Sequence, residues 1–238
     1  MDVARSDTVG EPPVSTLPGP PAERRRALYR ELPLLLAVAL ALTFAVRLLV
    51  VQAFYIPSVS MQPTLEVGDR LLVSKVAYRV GDIARGDVIV FDGRGSFAPL
   101  TATSDVGAPA RVAGAVGGFL GLAPSERDYV KRVIGLPGDR VVCCGADGRL
   151  TVNGVPLDEP YLFPADQAGV AAGDQPFDVL VPAGRLWVMG DHRDDSADSR
   201  AHLGDPGGGT VPVDRVVGGA VLRFWPFSSA GRPAGAGS

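Results

Sequence analysis

Residues 128–139 read "DYVKRVIGLPGD", and the fold turns on how this stretch is read. Tyr129 to Ile134 form a short apolar run that admits Lys131 and Arg132 and then stops at Leu-Pro-Gly-Asp, as a β-strand does. In a strand, neighbouring side chains point to opposite faces, so Lys131 and Arg132 are expected to part company. The same grammar recurs in "DRLLVSKVAY", "GDVIVF", "DRVVCC", "RLTVNG", "RLWVMGD" and "RVVGGAVLRFW", each a brief apolar or alternating run ended by Gly, Pro or Asp. The 30 glycines and 21 prolines fall largely between such runs, which favours a turn-rich β protein over a helical one.

At the other end of the chain the pattern changes. Residues 1–31 are rich in Pro, Gly and charge and lack apolar periodicity, so they are expected to be a disordered tail. The apolar run "LPLLLAVALALTFAVRLLVV", Leu32–Val51, has the roughly 20 residues that a helix rising about 1.5 Å per residue needs to cross about 30 Å of hydrocarbon. It is longer than the core of a cleaved signal and no small-x-small site follows, so residues 32–52 are expected to remain as a transmembrane anchor. Arg47 lies near its far end, where its stem can snorkel to the interface. Arg24, Arg25, Arg26 and Arg30 precede it and place the N-terminus in the cytoplasm by the positive-inside rule. Residues 53–228 are then an exported domain on the extracytoplasmic side of the plasma membrane. Within it, 93–127 read as a flexible insertion and about 140–186 as a small β lobe; residues 229–238, after it, read as a disordered tail. The expected fold class is mainly β, an N-terminal transmembrane helix followed by an exported β-rich domain with a smaller inserted β lobe.

Composition excludes some classes of function. A net charge of −3 and a pI near 5.4 provide no basic surface for nucleic acid, so no such partner is expected. Cys143 and Cys144 are adjacent and fit neither a CxxC redox pair nor a zinc set. A vicinal disulfide and two free thiols both remain open. Asp194, Ser196, Asp198, His202 and Asp205 loosely follow calcium-loop spacing, but Ser199 occupies the position that requires glycine, and no helices flank the loop. Neither a metal nor a cofactor is expected.

The chemistry centres on "IPSVSMQPTL", residues 56–65. Pro57 and Pro63 fix φ and withhold amide donors, holding Ser58 and Ser60 in one turn, or marking an ordinary loop boundary. A serine becomes a nucleophile only when a base takes its proton. His192 and His202 are the two histidines of the chain, yet no GxSxG elbow surrounds Ser60. Lys131 is the other candidate. Burial within its apolar run would disfavour the charged form and leave a neutral amine near physiological pH. Arg132 cannot substitute, since a guanidinium stays protonated.

The order of these pieces resembles the bacterial type I signal peptidases. An N-terminal anchor is followed by "IPSVSMQPTL" and "GDRLLVSK", then "RGDVIVF", "YVKRVIGLPGD", "VNGVPLDEPYL", "MGDHRDDSADSR" and "RFWPFS", together covering most of residues 32–228. The resemblance implies a membrane-anchored serine endopeptidase with Ser60 as nucleophile and Lys131 as general base. It implies an oxyanion hole from the Ser58 hydroxyl and the Ser60 amide, a Ser196 that orients the lysine amine, and an Asp198–Arg200 ion pair supporting the site. A turn-stabilising polar network is an equally open reading of the last three. His192 stands where the family often has Asn, and residues 93–127 have no strong match.

The implied partners are the lipid bilayer and the signal peptides of exported preproteins, cut after small-x-small sites. An extended peptide added to a strand edge presents alternate side chains, so two adjacent pockets are expected. By resemblance Ile56, Met61, Leu65, Tyr129 and Val130 line the first, and Phe54, Ile56, Leu71 and Val130 the second. Trp225 and Phe227 sit either at the lipid interface or in the core. Two other readings compete: a related Ser-Lys peptidase with one dedicated precursor, and an exported binding module that kept the fold without catalysis.

Overall fold

The structure is a computed structural model that describes residues 22–98, 127–145, 147–164 and 176–234. Its apolar runs become antiparallel strands in two sheets. The larger contains β1 (Val51–Tyr55), β2 (Arg70–Ser74), β3 (Val88–Asp92), β4 (Asp128–Gly135), β9 (Arg185–Met189), β10 (Val211–Pro212) and β11 (Val216–Trp225), in the order β1-β2-β11-β3-β4-β9-β10. The smaller contains β5 (Arg140–Cys143), β6 (Thr151–Val152), β7 (Val155–Pro156) and β8 (Phe177–Leu180), in the order β7-β6-β5-β8.

β3 shows how the sequence fills both faces of the larger sheet. Val88 and Val90 join a core with Phe54, Met61, Leu65, Leu71 and Val73, while Ile89 and Phe91 join Phe97, Val133, Leu186 and Val188 in another. A strand buried on both sides reads as the unbroken "VIVF" rather than as an alternation. Near its C-terminal end, where Val133 and Gly135 pair with β9, β4 contributes Ile134 to a third core with Val141, Leu150, Val152, Phe177 and Trp187, which underlies the smaller sheet. Between β4 and β5 the Leu136–Asp139 turn closes on itself: the Leu136 amide donates to Asp139 Oδ2 at 2.7 Å and the Asp139 amide to the Leu136 carbonyl at 3.0 Å. Gly138 lies there at φ +90°, a conformation that a residue with a Cβ rarely adopts.

Several boundaries differ from those read in the sequence. A helix, α1, runs over Ala22–Leu49, and so begins within the segment expected to be a disordered tail. Val51 and Gln52 belong to β1, where they pair with Ser74 and Val73 of β2. Residues 31–43 of α1 stand exposed, and no helix among the described residues is long and apolar enough to cross a membrane. Of the segment expected to be a flexible insertion, Gly93–Ala98 form a tight turn that buries Phe97 against Phe91 and Tyr129, with ring centroids 5.2 and 5.4 Å apart. Residues 99–126 lie outside the described set. The start of the expected C-terminal tail folds back instead: Gly231 exchanges hydrogen bonds with Arg223 of β11, and Pro233 is buried. Cys143 and Cys144 form a vicinal disulfide.

Candidate active site

The turn after β1 is shaped by what it must bury. Met61 and Leu65, 1% and 0% exposed, plug the core beneath it. Backbone bonds from Gln62 N to Val59 O and from Leu65 N to Met61 O, both 2.9 Å, hold the turn closed. Ser60 is thereby pulled below the surface while Ser58, two residues back, stays exposed. Their hydroxyl oxygens are 3.4 Å apart.

β4 brings the amine. Lys131 is 4% exposed, and its Nζ donates to Ser60 Oγ at 2.7 Å. Burial pushes the amine down to about 8, with Arg200 acting in the same direction and Asp198 and Asp191 opposing. A fraction of the neutral amine is therefore present near neutral pH, and in that form the polarity of the bond reverses so that Ser60 Oγ–H donates to nitrogen.

A single loop, Gly190–Arg200, closes over the pair. The Ser60 carbonyl accepts from the His192 amide at 3.2 Å. Arg200 grips Asp198 through Nε to Oδ1 and Nη2 to Oδ2, both 2.8 Å. Asp198 is fully buried, which disfavours its carboxylate, yet the Arg200 bonds and the Gly190 amide hold its pKa below the ordinary value. Ser196 Oγ is buried with no hydrogen-bond partner among the described residues. Gly190 was not singled out by sequence, but a Cβ there would lie 2.3 Å from Ser196 Oγ and 2.4 Å from the Ser60 carbonyl. Only glycine lets the loop approach this closely.

Beside the pair opens a cleft of about 200 Å³. Phe54, Ile56, Met61, Tyr129 and Val130 line it together with Ser58, Ser60 and Lys131. Leu65 and Leu71, expected as pocket residues, do not line it; both are fully buried in the core beneath. Neither histidine ring joins the pair: His192 stacks on Phe163 at 4.2 Å, and His202 stacks on Phe97 at 4.3 Å and meets Asp205. No cluster of ligating side chains suited to a metal occurs among the described residues.

Arg132 leaves β4 for a different set of neighbours. It is fully buried, bonds both Asp191 oxygens at 2.7 and 2.6 Å, and lies 3.9 Å over the Tyr161 ring. Thr64 Oγ1 donates to the same Asp191 at 2.5 Å. Three segments meet at this carboxylate: the Ser60 turn, β4 and the closing loop.

Comparison with known proteins gives this arrangement its relatives. The family model described as "Signal peptidase, peptidase S26" matches residues 29–225. The signal peptidase I of Mycobacterium tuberculosis is 43% identical over 229 residues, covering 89% of this chain and 77% of that protein. The probable signal peptidase I of Mycobacterium leprae is 41% identical over 235 residues, covering 88% and 80%. The signal peptidase I of Bacillus caldolyticus is 36% identical over 198 residues, covering 80% and 88%. The chain belongs to the signal peptidase family, peptidase S26.

Proposed function

We propose that this chain is a serine endopeptidase that removes signal peptides from exported preproteins after small-x-small sites. The carrying observation is the buried 2.7 Å contact of Lys131 Nζ with Ser60 Oγ at the wall of an apolar cleft. Ser60 Oγ attacks the scissile carbonyl as Lys131 takes its proton, the resulting ammonium returns that proton to the departing amine, and a water deprotonated by the neutral lysine then cleaves the ester to free the peptide's carboxylate and restore the Ser60 hydroxyl. The Ser60 amide and the Ser58 hydroxyl meet the charge that grows on the carbonyl oxygen. Ser196, whose buried hydroxyl has no hydrogen-bond partner among the described residues, is the group left to orient the lysine amine. Asp198, neutralised by Arg200, keeps the closing loop in register.

Strand geometry supports an extended substrate. Among the described residues β1 pairs only with β2, and β4 pairs with β9 only from Arg132 onward, so no strand among them pairs with Tyr129–Lys131 on that edge. A peptide lying there would add as a strand and turn alternate side chains toward Ile56, Met61 and Val130. Pockets of this size between bulky apolar walls accept small residues one and three places before the scissile bond.

The test is incubation of the purified protein in detergent with a synthetic precursor bearing an Ala-x-Ala site. Wild type is expected to cut after the second alanine, and Ser60→Ala and Lys131→Ala to lose nearly all activity because the two groups act as one unit. Uncut precursor with wild type, or full cleavage by either variant, contradicts the reading.

On this reading residues 32–52 are an uncleaved anchor, with residues 1–31 cytoplasmic and the β domain exported; the apolar run of the sequence, the arginines before it, and the exposed Trp225 at the end of β11 and Phe227 just beyond it support this. Reporter fusions are expected to be active outside when joined after residue 52, and the reverse orientation would refute the topology.

A further inference from the structure

The five N–H donors of a buried guanidinium must all find acceptors, and those of Arg132 do. Nε and one Nη2 proton go to Asp191, the second Nη2 proton to Thr64 Oγ1 at 3.2 Å, and Nη1 donates to the Gly86 carbonyl and to the Ala234 carbonyl, each at 2.7 Å. The last acceptor comes from the C-terminal segment. After β11 the chain passes through Pro226–Ser229 and runs back along the strand. The Arg223 and Gly231 amides donate to each other's carbonyls at 2.8 and 3.0 Å, and Arg223 Nε donates to the Ser229 carbonyl at 2.6 Å. Arg223 also reaches forward to the Thr64 carbonyl at 3.1 Å, in the turn that carries Ser60. Pro233 is buried just before Ala234.

We propose that residues 229–234 are a positioning strap for the Ser60–Lys131 pair. The strap touches neither residue. It completes the hydrogen bonding of Arg132, which orders Asp191; Asp191 in turn ties the Ser60 turn, through Thr64, to the loop that carries Ser196 and Asp198. Without the strap one buried Arg132 donor lacks an acceptor, the node loosens, and water enters beneath the loop that keeps Lys131 dry.

The activity part of this proposal rests on the peptidase reading, so its test has a second readout independent of cleavage. Full-length protein is compared with chains ending after Ala234 and after Gly231, and with Gly231→Pro, which keeps the length but removes the amide that bonds Arg223. Gly231→Ala serves as control, since a Cβ there meets nothing within 4 Å. The chain ending at Ala234 and Gly231→Ala are expected to match wild type. The chain ending at Gly231 and Gly231→Pro are expected to lose about tenfold in kcat with little change in KM, as one buried donor goes unpaired. Their apparent pKa in the pH–rate profile should rise, as rehydration of Lys131 requires. Amide exchange, followed by mass spectrometry, should quicken in residues 60–65 and 189–200. Lowered thermal stability with unchanged kcat, pH profile and exchange in those segments would overturn the strap. Should the full chain cut no precursor, the peptidase reading fails and exchange alone decides the strap.

Discussion

The two sheets solve the burial problem in opposite ways. The smaller sheet stands on an apolar cluster that includes Val141, Leu150, Phe177 and Trp187, and its cross-strand ion pair, Arg140 with Asp178, lies outside with the side chains 64% and 48% exposed. The larger sheet buries Lys131, Arg132, Asp191, Asp198 and Arg200 next to its core. Taking ions out of water costs several kcal/mol each unless partners compensate. Arg132 and Asp191 compensate each other fully, as do Asp198 and Arg200. Lys131 is placed differently. It faces a hydroxyl rather than a carboxylate, and burial therefore lowers its pKa. Polar burial in this fold is concentrated in a frame of closed ion pairs around one amine that, among the described residues, has no ion-pair partner in hydrogen-bond contact.

Breaking the frame is expected to have the largest effect on stability. Asp191→Ala leaves the fully buried Arg132 uncompensated and should cost about 3–5 kcal/mol in chemical denaturation. Asp178→Ala, its counterpart on the smaller sheet, should shift Tm by no more than about 2 °C, because an exposed pair contributes little. Equal effects of the two substitutions would dissolve the contrast between the sheets.

Between these extremes lies a change that separates function from stability. Ser58 is exposed at the edge of the cleft, so Ser58→Ala should leave Tm near wild type. Loss of one donor to the oxyanion should nonetheless lower kcat by about 10²–10³ with little change in KM. An unchanged kcat would leave Ser58 a turn residue and require another donor.

How much of this was legible beforehand follows from the kind of contact involved. The strands could be read because their apolar runs end at Gly, Pro and Asp, and the Leu136–Asp139 break closes as such a turn should. Ser60 and Lys131 could be singled out because the motifs around them follow the order of the signal peptidases; a serine between prolines or a lysine in an apolar run is by itself a weak signal. Contacts made by backbone left no such trace. Gly190 looks like the end of a strand until Ser196 and the Ser60 carbonyl are seen to crowd it. The Ala234 carbonyl sits in an Ala/Gly-rich stretch with no apolar pattern, so its bond to Arg132 has no signature in sequence. Leu65 and Leu71 share the chemistry of pocket residues, and only the packing shows them to lie beneath the cleft rather than along it. Phe97 belongs to the core despite its Gly/Ser-rich neighbours, because Gly93 lets the turn fold tightly against Tyr129.

Whether Lys131 is held dry enough to act as a base is read from the pH dependence of kcat/KM. Below its pKa the amine carries a proton and cannot accept one from Ser60, so activity is low; above it the neutral amine accumulates and activity rises. With burial pushing the amine down to about 8, kcat/KM for an Ala-x-Ala precursor should rise with pH through an apparent pKa near that value and level off above it. A limb that instead follows a free lysine, near 10.4, would contradict the account.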